Sequence, residues 1–354
     1  MEWLQSLSTQ SSFTTIAYSQ LQFLPAMQIA SVTGFFGVTF VLSLFASTIA
    51  YTVTFHKTVC KSWTVVIVSI SFVLGSLGYG FYRIEAYQGN AISRIKVGLA
   101  SINASPKDIF NPIKAGSLLE GYRPLIQKLS QQGSKIILLP EEILSVNPSN
   151  NEQIKSALAL LARQNEITLI VGINDLQKDK RSNNVWIFNS QGSLIGTYSK
   201  QHLVPGIEDE ITPGINLLSF PLNNSNASVA ICRDLDYTDP AHVYGQRDTN
   251  ILFVPAWDFE VDARAHAAGA ITRGIENGYT IVRTARGGYL SITSPTGQAL
   301  AEALAVEKNG KVLIADSLIW QNSSFYAKHK YWFIYVLIFM LLFLIAMFLR
   351  SNKV

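Results

Sequence analysis

Three long stretches without charge restrict what this chain can fold into. From Ile29 to Phe55 the residues are apolar and rich in Val, Phe, Leu and Ile, and nothing between Glu2 and His56 carries a charge. A second run covers Trp63 to Tyr82, and a third, YWFIYVLIFMLLFLIAMFL, covers Tyr331 to Leu349 with aromatic residues at its leading edge. About 20 such residues cross the hydrocarbon core of a bilayer, and aromatic side chains gather where a span meets the headgroups. Buried core helices are the ordinary alternative, and three uncharged runs of this length argue against it. Only 15% of the 354 residues are charged, against about 25% in an average globular domain, and the deficit sits in these runs. The expected organisation is an N-terminal arm over 1–28, two membrane helices within 29–90, a central domain over 91–325, and a last membrane helix with a short tail over 326–354.

The arm fits a polar-aromatic segment, a re-entrant piece or a partial further span. A cleaved signal peptide is not expected, because Glu2 stands where a basic start belongs and no short apolar segment with a small-residue cleavage site follows. Lys57 and Lys61 lie in the loop between the first two spans, and Arg350 and Lys353 follow the last one. Arg83, Lys328 and Lys330 flank the spans on the opposite side. The positive charges nearly balance and do not orient the protein. Both ends of the central domain are nevertheless tethered to one membrane face.

The net charge of +4 is modest, and no basic patch with interleaved aromatics points to nucleic acid. Two cysteines, Cys60 and Cys232, do not make a disulfide framework. The five histidines stand singly, without the spacing of metal ligands. No metal and no cofactor are expected.

Between about Arg94 and Trp320 the texture changes. Short Val/Ile/Leu runs alternate with amphipathic stretches, which predicts an α/β layered domain. Strands are expected at KVGLASI, KIILLP, ITLIVGI, NVWIFN, SVAIC, ILFVP, TIVRTA, LSITS and KVLIAD, and helices near 118–131, 150–165 and 262–276. NSQG and SPTG read as hairpin turns. Several strands are apolar throughout, so both their faces should be covered.

At three sites an apolar strand runs out and a reactive side chain follows. KIILLPEE ends in Glu141 and Glu142, GTYSKQHLVPGIEDE presents Lys200 and then Glu208, and SVAICRD ends in Cys232. Each has an ordinary explanation: a lone cysteine is often a buried small hydrophobe, and a Lys or Glu at a strand end is often a solvated edge charge. Together they form a chemical set. A thiol needs a base or cation to become a nucleophile, a carboxylate can take its proton, and an ammonium can stabilise an oxyanion. Strand alternation allows one of Glu141 and Glu142 to face the thiol.

Glu, Lys and Cys in this order resemble the nitrilase (carbon–nitrogen hydrolase) superfamily. LLPEE looks like its first motif, YSKQHLVPGIE its second and AICRDLDYTDP its third. The resemblance covers about Lys96 to Asp316. It implies an αββα sandwich with Glu141 as general base, Lys200 as the lysine, Cys232 as nucleophile and Glu208 as a supporting glutamate. Arg273 and Glu276 match a helix-borne Arg/Glu pair in the segment that follows. The segment YSQLQFLPAMQIASVTGFFGVTFVLSL and the flanking spans are similar to the apolipoprotein N-acyltransferase branch. That likeness implies a bacterial inner-membrane enzyme with its domain facing the periplasm, a phospholipid acyl donor, a lipoprotein acceptor and a thioester on Cys232. Several N-terminal helices of that branch are missing. Arg233 and Asp234 follow the cysteine where the branch commonly has Tyr and Glu, and an Asp there is also typical of soluble amidases.

A membrane-tethered amidase with water as acceptor is therefore the rival, and an inactive membrane scaffold a third reading. Arg233 either acts on the thiol or a lipid phosphate, or turns to solvent. Trp257, with Asp258, either lines an acyl pocket or belongs to the core. His266 is expected to be structural.

Overall fold

The computed structural model describes residues 2–54, 63–178, 180–222, 225–306, 309–321 and 323–351. Cys60, His56, Lys57, Lys61 and Lys353 lie outside the described residues, and the readings that rest on them go no further.

The N-terminal arm folds as short pieces, α1 (Glu2–Ser6), α2 (Leu24–Met27) and α3 (Ala30–Thr33), with a 3-10 turn at Ile16–Gln20. Two long helices follow, α4 (Phe35–Thr54) and α5 (Trp63–Tyr87). The first apolar run was expected to be helical from Ile29, but its long helix begins at Phe35. Gly34 adopts φ 71° and ends α3, a conformation that breaks a helix and that glycine tolerates best.

The central domain runs β1 (Ser93–Ser101), α6 (Pro106–Ile109), α7 (Ala115–Gln131), β2 (Ile136–Leu138), β3 (Leu144–Val146), α8 (Asn151–Gln164), β4 (Thr168–Gln177), β5 (Lys180–Phe188) and β6 (Leu194–Ser199). It continues with β7 (Leu218–Leu222), β8 (Ser225–Val229), α9 (Ala241–Gln246), β9 (Ile251–Trp257), α10 (Ala263–Asn277), β10 (Thr280–Arg286), β11 (Tyr289–Thr293), β12 (Ala299–Leu304) and β13 (Lys311–Ile319). The chain then forms α11 (Phe325–Lys328) and α12 (Trp332–Ser351).

The strands form two sheets. One has the order β13-β1-β2-β4-β5-β6, with β3 beside β4, and the other β12-β11-β10-β9-β8-β7. Their inner faces meet in a core that includes Val97, Leu138, Ile187, Val229, Phe253 and Val282. On the first sheet's outer face, Leu119, Ile126, Leu158 and Leu161 of α7 and α8 form a second apolar cluster. On the other sheet, Tyr244 and Ala270 of α9 and α10 help to build a third. This is an αββα sandwich, and its doubly covered strands explain their continuous apolar sequences.

NSQG and SPTG are turns as expected: Gly192 and Gly297 donate to the carbonyls of Asn189 and Ser294, each at 2.9 Å. Strands β3, β7 and β12 had no clear signal. β3 has three residues, Pro221 interrupts β7, and β12 reads ALAEAL. Pro221 is tolerated because β7 is an edge strand.

Helices α4, α5 and α12 are long and apolar enough to cross a membrane. At about 1.5 Å per residue, a 20-residue helix is about 30 Å long, the thickness of the hydrocarbon core. Helix α12 leaves most of its apolar surface uncovered, including Phe339 at 70% and Phe348 at 64% exposure.

The arm is a docked segment of the globular part. Ala17 and Met27 pack with Phe35, Ile275 and Phe333, and Ser12 donates to the Asp236 carbonyl. The buried pair Arg273–Glu276 on α10 fastens this junction. Arg273 donates to Ser12 Oγ at 3.0 Å, and the Phe35 amide donates to Glu276 Oε1 at 2.8 Å. Arg83 of α5 is buried against Gln28 and the Pro295 carbonyl, and Lys330 is buried 2.7 Å from Asp239. Two of the flanking charges thus hold helices to the domain. Helix α11, expected within the last membrane segment, belongs to the domain because Tyr326 and Ala327 are fully buried.

Candidate active site

Parallel strands bring the reactive residues to one end of the sandwich. β2 and β4 run parallel, and two antiparallel steps through β5 bring β6 into the same direction. The C-terminal ends of β2 and β6 therefore lie at one edge and present Glu141 and Lys200. In the other sheet β8 and β9 run parallel and deliver Cys232 and Trp257. Glu141, Lys200, Glu208, Cys232, Arg233 and Trp257 all line one cavity of about 230 Å³.

Local backbone explains how each arrives. Glu141 sits in a turn beyond β2, not on the strand. This turn packs against Gly172 of β4, where a Cβ would lie 2.2 Å from the Pro140 oxygen and 2.6 Å from Glu141 Cα. Gly214 likewise leaves room beside β6, since a Cβ there would come 2.2 Å from the Ser199 oxygen. Strand β8 stops at Val229, before the expected SVAIC end, and Cys232 opens a 3-10 turn over Cys232–Asp236. Cys232 has φ 40°, in the left-handed region that non-glycine residues rarely occupy. Such strain clusters at functional positions.

Asp234 joins the two sheets' contributions. It is fully buried. Its Oδ2 accepts from Tyr198 Oη at 2.7 Å and the Ile231 amide at 2.9 Å. Its Oδ1 accepts from the amides of Gln201 at 3.1 Å and His202 at 2.8 Å. The carboxylate therefore ties the residues after Lys200 to the turn that carries Cys232.

Lys200 lies between two carboxylates. Its Nζ donates to Glu141 Oε1 at 2.8 Å and to Glu208 Oε1 and Oε2 at 3.0 and 2.8 Å. Asn183 Nδ2 bridges the same carboxylates at 2.7 and 3.0 Å, and the Val204 amide donates to Glu208 Oε2 at 2.7 Å. Burial works against the ammonium, but the charges of Glu141, Cys232 and Glu208 outweigh it and hold Lys200 well above its usual pKa. Burial raises the Glu141 pKa, with Lys200 opposing and Glu208 adding to the rise. Burial and the Glu141 charge push the Cys232 thiol well up, against the pull of Lys200. The Cys232 thiol is directed at the Trp257 carbonyl at 3.7 Å, beside the Glu141–Lys200 pair.

Glu142, also in the turn beyond β2, has φ 48°, and both glutamates line the cavity. The alternation expected of a strand does not apply. Glu142 faces Arg181, with Oε1 3.3 Å from a guanidinium nitrogen. Arg233 lines the cavity and donates to the Thr9 carbonyl of the arm, with Asp236 at 3.8 Å. Trp257 lines the cavity too, 5.6 Å from the Phe110 ring and beneath the Arg286 guanidinium. Asp258, expected beside it as a lining residue, instead turns into the protein and binds Arg283 through both oxygens. His266 forms part of the cavity wall, 5.0 Å from the Phe13 ring. The remaining wall is largely apolar, with Phe110, Val204, Ile207 and Phe259.

Sequence reading missed Asn183, Tyr198, Arg181 and the contribution of the arm. Asn183 had a findable signal, a polar residue beside the β5 run NVWIFN; Arg181 and Tyr198 look like surface and core residues until the sheets are paired.

The arrangement can carry out nucleophilic acyl chemistry: a thiol, a carboxylate to take its proton and an ammonium to meet a developing oxyanion. Comparison with known proteins agrees with this architecture. An apolipoprotein N-acyltransferase of Geobacter metallireducens is 23% identical, over 91% of this chain and 67% of its own. Another from Synechocystis is 24% identical, over 58% of this chain and 44% of its own. A human omega-amidase is 26% identical, over 50% of this chain and 75% of its own. Among solved structures, a mutant amidase of Nesterenkonia sp. AN1 in complex with butyramide has a TM-score of 0.56 at 19% identity, covering 67% of this chain and 97% of its own. The sequence model of the carbon-nitrogen hydrolase family matches residues 99–317, more than half of the chain. On that match the chain belongs to the carbon–nitrogen hydrolase family.

Proposed function

We propose that this chain is a bacterial inner-membrane N-acyltransferase that moves a fatty acyl chain from a phospholipid to the α-amine of a lipoprotein's N-terminal cysteine. The observation that carries the reading is a thiol at an apolar-walled cavity in a domain framed by three helices fit to cross a membrane. The likeness to an apolipoprotein N-acyltransferase over 91% of this chain supports the same reading.

Glu141 takes the proton of Cys232, and the thiolate attacks the ester carbonyl of the phospholipid. Lys200 and the backbone N–H of Arg233 face the oxyanion. The C–O bond breaks, Glu141 returns the proton to the leaving lysophospholipid, and an acyl thioester remains. The acceptor amine attacks the thioester, Glu141 takes the proton from nitrogen, and the thiolate leaves with the amide formed. Kinetics are ping-pong. Glu208 holds Lys200, Asp234 holds the Cys232 turn, and Trp257 with Phe110 shapes the acyl groove. Arg233, which lines the cavity, meets the headgroup phosphate. The domain works on the periplasmic side, where both tethers keep the cavity near its lipid substrates.

A hydrolytic reading, with water in place of the amine, draws on the omega-amidase relatives and on Asp234 two residues after the cysteine. Mass spectrometry of lipoprotein N-termini in cells with and without the gene separates the two. Acyl transfer predicts free α-amines on removal, restored to acylation by the wild-type chain and not by Cys232→Ala. Unchanged N-termini, or rescue by C232A, count against it.

A further inference from the structure

Four carboxylates line the cavity: Glu141, Glu142, Glu208 and Asp236. Lys200 and Asn183 both donate to Glu141 Oε1, which leaves its Oε2 for the Cys232 proton in the mechanism above; the same two residues hold Glu208, and Asp236 leans on Arg233. Glu142 is 4% exposed. It meets Arg181 through Oε1 alone, and among the described residues its Oε2 has no partner. Arg181 is itself fixed, donating to Asn174 Oδ1 at 2.9 Å and lying 5.0 Å over the Phe110 ring. A buried carboxylate with one oxygen open to a reaction cavity is costly unless something cationic visits it.

We propose that Glu142 receives the primary ammonium of the acyl acceptor and takes its proton before the amine attacks the Cys232 thioester. This rests on the N-acyltransferase reading, because a water acceptor needs no such group. The step balances: R–NH3+ and the Glu142 carboxylate become R–NH2 and a carboxylic acid. The amine then forms the C–N bond as the C–S bond breaks, and Glu142 releases its proton to solvent.

The surroundings suit that exchange. Burial, then the charge of Glu141, raise the Glu142 pKa, Glu208 adds to the rise, and Arg181 and Lys200 oppose it, leaving it at about 7. The Glu142 charge also reaches the buried Arg286 guanidinium. An α-ammonium has a pKa of about 8, so the two groups are matched for proton transfer.

The test uses the full chain in detergent, carrying a thioester formed from phospholipid. Two nucleophiles compete for it: a synthetic diacylglyceryl-cysteine peptide, whose amine is charged near pH 7, and hydroxylamine, which is already neutral there. Glu142→Gln should lower the peptide-to-hydroxylamine rate ratio by about tenfold or more. The pH midpoint of that ratio should move up from about 7 to the amine's own value of about 8. A ratio within about twofold of wild type at an unshifted midpoint overturns the proposal. If E142Q does not fold, the wild-type midpoint decides: a value at that of the free amine overturns the proposal. A wild-type chain that forms no thioester overturns the acyltransferase reading, and this proposal with it.

Discussion

Asp234→Asn probes the joint between the two halves of the site. The carboxylate accepts from Tyr198 and three backbone amides at full burial, and the His202 ring Nδ1 lies 3.3 Å from Oδ1. An amide keeps one accepting oxygen. Placed toward Gln201 and His202, it leaves its NH2 facing Tyr198 and the Ile231 amide. The Tyr198 hydroxyl can rotate and accept, but the Ile231 N–H cannot. At least one hydrogen bond to a charged acceptor is lost, worth about 1.5–3 kcal/mol, and the others become neutral and weaker. A total near 3 kcal/mol lowers Tm by about 6–12 °C for a domain of this size. The same change loosens the turn of Cys232 against Lys200, and a displacement of about 1 Å costs on the order of 100-fold in rate. Thermal unfolding of the solubilised chain reads the first effect, and the rate of thioester formation from phospholipid reads the second. A Tm within about 2 °C of wild type with a rate within about twofold would refute the reasoning.

Lys200→Met should abolish thioester formation and destabilise the domain by about 3–5 kcal/mol, since Glu141 and Glu208 then face each other without their cation; denaturant unfolding checks this. Gly172→Ala should displace the Glu141 turn, given the 2.2 Å approach to the Pro140 oxygen, and cost about 1–3 kcal/mol together with most activity. Glu142 makes stability depend on pH. Its pKa rises from 4.5 to about 7 on folding, so its contribution favours the folded state fully below its unfolded value and is lost as pH rises through about 7. Glu142→Gln should therefore gain up to about 3 kcal/mol relative to wild type at pH 8 compared with pH 4, and parallel melting curves would contradict this.

Much of the layered domain was legible in the sequence because doubly covered strands carry unbroken apolar runs. KIILLP, ILFVP and TIVRTA became β2, β9 and β10, whereas β3, β7 and β12 exist through pairing with a neighbour. Glu141 and Cys232 stood out because each follows such a run, and Lys200 because it follows the end of β6. Asp234 could be named but most of its contacts could not, since every donor but the Ile231 amide comes from Tyr198, Gln201 and His202, more than thirty residues away. Membrane orientation was illegible for a related reason. Arg83 and Lys330, which read as flanking charges, are engaged by Gln28 and Asp239 inside the protein. Arg273 and Glu276 were recognised as a pair, but their grip on Ser12 and Phe35 depends on how the arm folds back.

The central claim is a covalent acyl group on one sulfur. The solubilised full chain, mixed with a phospholipid of one defined acyl chain and no acceptor, should gain one acyl group by intact mass, mapped to Cys232 and removed by hydroxylamine. No adduct on that cysteine, or the same adduct in a Cys232→Ala protein, would contradict the account.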